Sequence, residues 1–364
     1  MCPQVRSDIV FGARIGKGRF GDVHRATLRP HGDVAVKIVN AASVSHLPGA
    51  SWHELKAYMM AEADSLRRAE HENVVRVFSV HHDEDKDEVY IAIELCDCCL
   101  QSKLENGPLS LAGAKGIVRH CLAGLEALHL RGMVHRDIKP GNILIKGSVS
   151  KLSDFGLVSD RIICGYASGQ GYLLHLAPEF FDLDLTSKKT DVWAMGVTIF
   201  RILNGEPWFD ELQNKWGIDW NDPSASDMVE DVVTSGRFAS RLRWMPHVPF
   251  SWRKFVGKAL RYDSSKRFQD GGDMLSALSR AALPDQPSWN CVFGSSTIRW
   301  RRQRRGRKAT VIWKRISARR HEVEAYSEPV GNNGRKRALI RPTGEIGSLA
   351  AKGILQDFFG VRNI

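Results

Sequence analysis

The run Val134-His135-Arg136-Asp137-Ile138-Lys139-Pro140-Gly141-Asn142, followed closely by Asp154-Phe155-Gly156, leaves this chain few folds to adopt. Between them lie Ile143-Leu144-Ile145, a turn at Gly147, and Lys151-Leu152-Ser153. That order reads as a short two-stranded hairpin with a polar loop on either side. Such a hairpin gathers two carboxylates, Asp137 and Asp154, and one amide, Asn142, around a single space. A carboxylate to orient an attacking hydroxyl, with oxygen ligands for Mg²⁺, is what transfer of a phosphoryl group requires.

Upstream, Gly16-Lys17-Gly18-Arg19-Phe20-Gly21 sits between two strand-like runs, Ile9–Ile15 and Val23–Leu28. Glycines so spaced let backbone amides approach phosphates without a Cβ in the way. The pattern also suits a dinucleotide-binding fold, but that fold expects a helix after the glycines, and Asp22–Leu28 continues as a strand. Val34–Val39 is an apolar strand carrying one lysine, Lys37. In the helical stretch His53–Arg68, Leu55, Met59 and Leu66 share a face with Glu62. A carboxylate on a buried stripe needs a partner, and Lys37 is the natural one. Val89–Leu95 is a further strand, and Leu109–Arg131 has helical periodicity ending at Gly132.

Taken in order, these motifs resemble those of eukaryotic-type serine/threonine protein kinases, over about residues 8–284. The resemblance implies an α+β, two-lobed protein kinase fold, with a β-rich N-lobe and a mainly helical C-lobe. It implies ATP and Mg²⁺ as cofactors and serine or threonine hydroxyls of proteins as acceptors, with autophosphorylation. Asp137 would orient the hydroxyl and take its proton, and Lys139 would steady the γ-phosphate. Asn142 and Asp154 would hold Mg²⁺, Lys37 would grip the α- and β-phosphates, and Glu62 would hold Lys37. The phosphates would lie under Gly16, Gly18 and Gly21. Adenine would meet the backbone of Glu94-Leu95-Cys96 between Ile15, Val23, Ala35 and Leu144, with Ile93 at the back. Glu179 of Ala177-Pro178-Glu179 would pair with Arg267, a structural link, and Asp191–Gly196 would open the buried central helix. Lys139, two residues after Asp137, favours serine/threonine over tyrosine acceptors.

This sequence departs from the family in one segment. Gly171-Tyr172 stands where Gly-Thr is usual, and His175 replaces a common tyrosine. The family offset from Ala177 points to Ser168 either as a regulatory phosphosite facing Arg136 or as an ordinary loop serine beside Gly169 and Gly171. The rival from another class is a pseudokinase-like scaffold without turnover. Such proteins usually lack the lysine, the catalytic aspartate or the metal aspartate, and all three are here.

The net charge of +11 is unevenly placed. Residues 285–364 hold 17 Lys/Arg against 6 Asp/Glu, and residues 1–284 hold 35 of each. The chain therefore divides into a kinase domain, 8–284, and a basic, β-rich C-terminal region, 285–364, with strands expected at Thr297–Arg302, Ala309–Ile316 and Glu322–Tyr326. A helix is expected at Gly347–Phe359 and a turn at Gly331–Gly334. The basic residues between 299 and 341 suit a solvated surface, nucleic acid with Trp300 and Trp313 as stacking surfaces, or acidic proteins. A chain ending at residue 284 would keep kinase activity on this reading. No apolar run reaches the ~18 residues of a membrane span, the N-terminus lacks an apolar signal core, and the seven cysteines form no regular framework. Cys96-Asp97-Cys98-Cys99 has no zinc-spaced partner pair, and a cytoplasmic location is expected.

Overall fold

Alternation along Val34–Val39 places Val34 and Val36 on one face of a strand and Ala35, Lys37 and Val39 on the other. In the computed structural model, which describes residues 9–18, 21–44, 51–68, 70–154, 173–183, 186–222, 224–281, 283–285, 288–331 and 335–361, that strand lies at the centre of an antiparallel sheet. The sheet contains β1 (Ile9–Gly18), β2 (Gly21–Leu28), β3 (Gly32–Asn40), β4 (Val77–Asp83) and β5 (Glu88–Glu94), ordered β1-β2-β3-β5-β4. One face buries Val34, Val36, Tyr90 and Ala92 with Ala26 and Leu28. The other buries Val39, Val89 and Ile91 against Leu55 and Met59 of helix α1 (Trp52–Arg68). Lys37 is therefore carried on the face that looks toward α1.

A short strand β6 (Cys98–Cys99) and helix α2 (Leu100–Leu104) lead into the larger lobe. There α3 (Leu111–Leu130) begins at an N-cap where the Ser110 hydroxyl accepts from the Gly113 amide. β7 (Ile143–Lys146) and β8 (Val149–Leu152) form the expected hairpin around Gly147, where φ is +56°. After α4 (Pro178–Leu183), α5 (Lys188–Asn204) starts from a capping box made by Ser187 and Thr190. It is buried from Thr190 to Asn204, as an apolar helix must be when other elements surround it. The lobe continues through α6 (Glu206–Lys215), α7 (Ala225–Thr234), α8 (Phe250–Ala259) and α9 (Gly271–Arg280).

The C-terminal region is an antiparallel meander of β9 (Asn290–Phe293), β10 (Thr297–Arg304), β11 (Arg307–Arg315), β12 (His321–Pro329) and β13 (Arg337–Ile340), closed by α10 (Ser348–Phe359). The flanking strands β9 and β13 are absent from the sequence reading, because four residues are too few to display a period. The inner face of the sheet (Ile298, Trp300, Val311, Trp313, Val323 and Ala325) belongs to the same hydrophobic cluster as the core of the large lobe. Trp313 packs on Trp208 with ring centroids 6.3 Å apart, and Trp300 meets His247 at 6.0 Å. The Phe293 amide donates to the Asn106 carbonyl, and Arg315 is paired with Glu211 at 2.5 Å. This corrects the expectation for the tryptophans: Trp300 is fully buried and Trp313 is 2% exposed, so neither offers a ring to a nucleic acid base. The turn expected at Gly331–Gly334 has residues 332–334 outside the described residues.

His247, caught between Trp300 and Phe359, carries a pH prediction. Burial, then the nearby Arg253 guanidinium, lowers its imidazole from 6.5 to about 3. The unfolded chain takes up a proton below pH 6.5 that the folded chain refuses, so stability is complete above that value and declines as the pH falls. Each such histidine removes up to ~1.4 kcal/mol per pH unit in that range. Burial also lowers His135 and His175, so they act in the same direction. The melting temperature should drop between pH 7.5 and pH 5, and His247→Phe should reduce the drop. An unchanged profile in that variant would show that His247 is protonated in the fold.

Candidate active site

The catalytic loop is held from beneath by one carboxylate. Asp191, on the first turn of α5 and 1% exposed, accepts from the His135 amide at 2.7 Å and the Arg136 amide at 2.8 Å. Its Oδ2 also lies 2.9 Å from His129 Nε2 on α3. A carboxylate buried this deeply is stable because these donors replace water. Arg136 is held at φ +69° and Asp154 at φ +53°, a left-handed backbone that costs a non-glycine residue on the order of 1 kcal/mol. The loop is thereby locked before any substrate arrives.

On that loop, Asp137 Oδ2 accepts from Lys139 Nζ at 2.8 Å and from Asn142 Nδ2 at 2.6 Å. Asn142 Nδ2 also reaches the Asp137 carbonyl at 2.9 Å. Asp137 Oδ1 is buried and has no hydrogen-bond partner among the described residues. One oxygen of the carboxylate is thus fixed by its neighbours, and the other is left to accept. Across the cleft, Lys37 Nζ donates to Asp154 Oδ1 at 2.7 Å, with Lys37 only 4% exposed. Burial alone would raise the Asp154 carboxyl; the Lys37 ammonium outweighs it and holds the group below its ordinary value. The structure therefore brings together Asp137, Lys139 and Asn142 on the loop, and Lys37 with Asp154 across the cleft. Glu62 lies on α1, but its side chain is outside the described residues, as are Ser168, Gly171 and Tyr172.

The strands behind the cleft are in register, with Ala35 opposite Ile93 and Val34 opposite Glu94. The Glu94 side chain turns away to Lys146 at 2.9 Å and Lys151 at 3.0 Å. Burial pushes its carboxyl up, but the two lysines outweigh this and keep it below the ordinary value. Only the backbone of Glu94 is thus left for a ligand. Cys96 is half-buried and its thiol is raised to about 11, chiefly by burial, so it stays protonated. Val23 and Leu144 are half-buried, and Ile15 is 51% exposed at the mouth. At Gly21 a Cβ would stand 1.7 Å from the Ile38 carbonyl oxygen. Strand packing therefore demands glycine there independently of any phosphate.

Below the site, Arg267 grips Glu179 with two hydrogen bonds of 2.7 and 2.8 Å, and its guanidinium lies 5.0 Å from the Trp193 ring. It also donates to the carbonyls of Arg261, Tyr262 and Lys189. Arg267→Ala leaves Glu179 without its counter-charge and should lower unfolding free energy by about 3–5 kcal/mol in urea titration. Arg267→Lys should recover only part of this, since an ammonium cannot hold both oxygens side by side. A loss below ~1 kcal/mol for the alanine variant would reduce the pair to a surface-type interaction.

Sequence reasoning missed two features. The anchoring role of Asp191 was signalled only by an acid at the head of an apolar helix. The other is His175, which is 3% exposed and receives Arg201 Nη1 at 2.9 Å. Arg201 in turn holds Glu206 through two bonds and Gln101 through one. The imidazole that replaces the usual tyrosine thus completes a buried polar cluster. Burial, then Arg201, keeps it neutral.

A locked loop with a poised aspartate, facing a lysine–aspartate pair across a two-lobed cleft, defines a phosphotransferase architecture. The chain belongs to the protein kinase family, whose domain matches residues 9–277. It is similar to serine/threonine-protein kinase STK11 of Homo sapiens, 32% identical over 212 residues, covering 54% of this chain and 47% of that one. The Rattus norvegicus counterpart is also 32% identical, over 210 residues, covering 54% and 46%. Serine/threonine-protein kinase TOS3 of Saccharomyces cerevisiae is 30% identical over 229 residues, covering 56% and 41%. The chain spans less than half the length of these relatives.

Proposed function

We propose that this chain transfers the γ-phosphoryl group of ATP to serine and threonine hydroxyls of proteins, its own included. The observation that carries the reading is the Asp137 carboxylate, with Oδ2 held by Lys139 and Asn142 and Oδ1 left to accept an incoming hydroxyl proton. The donor set fits the nucleotide and its metal: Asp154 supplies a carboxylate at the cleft, and Asn142 has its amide nitrogen committed to Asp137, which leaves its oxygen as a hard ligand. Bound there, ATP with Mg²⁺ supplies the phosphoryl group and the charge that draws electrons toward the leaving diphosphate. Lys37 is placed for the α- and β-phosphates, Lys139 for the γ-phosphate, and the backbone of Glu94 and Cys96 for adenine. Gly16, Gly18 and Gly21 frame the phosphate loop, and Ala35, Val23, Ile15 and Leu144 offer apolar walls. Nothing observed favours a scaffold without turnover.

We take residues 8–284 as the kinase domain, which carries the catalytic residues and packs on the C-terminal region, and read the basic region as the contact for an acidic partner, nucleic acid or an acidic protein. The cytoplasm is the compartment we assign: Cys96, Cys98, Cys99, Cys121 and Cys291 are free thiols. Among the described residues no helix is long and apolar enough to cross a membrane. Incubation with labelled ATP, Mg²⁺ and a generic protein substrate should place label on serine or threonine. Label on tyrosine alone would overturn the acceptor assignment, and no label would leave the scaffold.

A further inference from the structure

We propose that the outer face and turn of β10 bind double-stranded DNA through its phosphate backbone; this rests on, and sharpens, the reading of the basic region as a polyanion contact. Alternation in β10 buries Ile298 and Trp300 and leaves Arg299 and Arg301 exposed on the opposite face. At the end of the strand, Arg305 and Gly306 have φ of +49° and +70°, the successive positive values of a two-residue hairpin turn, and Arg304 and Arg305 are exposed there. The Val330 amide donates to the Gly306 carbonyl at 2.8 Å, and Arg307 Nη2 donates to Ser327 O at 2.9 Å and to Arg335 O at 3.3 Å. These bonds draw exposed Arg335 and Arg337 to the same end of the sheet. Among the described residues, none of these six exposed guanidinium groups is paired with a carboxylate. The sheet's glutamates, Glu322, Glu324 and Glu328, sit on β12, two strands or roughly 10 Å from β10 but beside β13, where Arg337 lies opposite Ser327.

Edge protection alone does not account for so many cations. β9 covers β10 only from Ile298 to Arg301, so charges at Arg302–Arg304 would guard the open edge. The remaining arginines lie on a paired segment, on the turn, and on the chain beyond β12. Residues two apart on a strand recur every ~6.8 Å, so Arg299 and Arg301 offer evenly spaced cations to the regularly spaced phosphates of a duplex strand. Among the described residues this surface offers no open stacking platform for single strands: Trp300 and Trp313 are buried, and Lys336 lies 3.4 Å from the Tyr326 ring centroid. A two-stranded ribbon fits the major groove of B-form DNA, whereas that of A-form RNA is too narrow for it.

The test is fluorescence anisotropy of the full chain with a duplex of about 20 base pairs, the matching single strand, an RNA duplex and polyglutamate. The duplex DNA should bind tightest, with log affinity falling linearly in log salt by about 0.9 per phosphate contacted. Arg299→Glu combined with Arg301→Glu should reduce that slope by about 2 and weaken binding at least about tenfold at physiological salt. Melting temperature and phosphorylation of a generic peptide should not change, because both side chains are exposed and outside the cleft. Tighter binding of single-stranded DNA, RNA duplex or polyglutamate would overturn the DNA proposal and leave the polyanion reading standing. No binding to any probe would overturn both. Duplex binding unaffected by the double substitution would also overturn it, by placing the contact elsewhere.

Discussion

Asp137→Asn is expected to lower kcat by about 10²–10⁴-fold while leaving the melting temperature near that of the parent. The amide keeps the shape of the carboxylate but cannot accept a proton at Oδ1, the atom that has no hydrogen-bond partner among the described residues. Asp154→Asn should be equally inactive and also bind nucleotide more weakly when Mg²⁺ is present, because the charged ligand proposed for the metal is lost. It differs in a second way. Asp154 is the half-buried carboxylate 2.7 Å from Lys37, which is 4% exposed, so neutralising it weakens the pairing of a buried ammonium and should cost about 1 kcal/mol of stability. Initial rates on a generic serine-containing peptide, nucleotide titrations and thermal melts separate the two variants. Wild-type turnover in Asp137→Asn would remove that residue from the chemistry altogether.

A chain ending at residue 284 is expected to lose the fold of the large lobe, contrary to what the charge boundary suggests. Its removal strips Trp313 from Trp208, Trp300 and Phe359 from His247, and the Arg315 partner from Glu211. Lys352 is also lost from the Trp208 ring at 5.4 Å. Trp208 and His247 are now 4% and 5% exposed and would meet water. Each large apolar side chain uncovered costs about 1.5–3 kcal/mol, so several together approach the ~5–15 kcal/mol total stability of a domain. Insoluble protein, or a melting temperature lower by more than ~10 °C, is the expected result. A soluble 1–284 chain with unchanged melting temperature and peptide kinase activity would show that the joint contributes nothing.

Most of the site was legible in the sequence because its residues are close along the chain. Asp137, Lys139 and Asn142 share one loop, and a hairpin of known length carries Asp154 back to them. Lys37 stood out as a cation on an apolar strand. The buried pair Glu179–Arg267 was also readable, since both belong to recognisable segments, although 88 positions separate them. The cluster of His175, Arg201, Glu206 and Gln101 was not. Each of its members looks ordinary alone, and only packing of α2, α5, α6 and the short turn Leu173–His175 brings them within hydrogen-bond distance.

The C-terminal region divides the two sources of information most clearly. Alternation in Ile298–Arg301 is a property of the sequence alone, and it makes one face of β10 apolar and the other basic; the same period puts Val311 and Trp313 together on one face of β11. Which surface covers the apolar face is decided elsewhere, by a large lobe that leaves Trp208, His247 and Gly107 open to receive it. Charge gives no warning of this, because net charge sums side chains regardless of direction. The sequence by itself thus determined which candidate groups share one loop and which strand faces are apolar, through local spacing and strand period. The tertiary structure decided which tryptophans are core, which arginines face water, and that a region of zero net charge and a basic one share one hydrophobic interior.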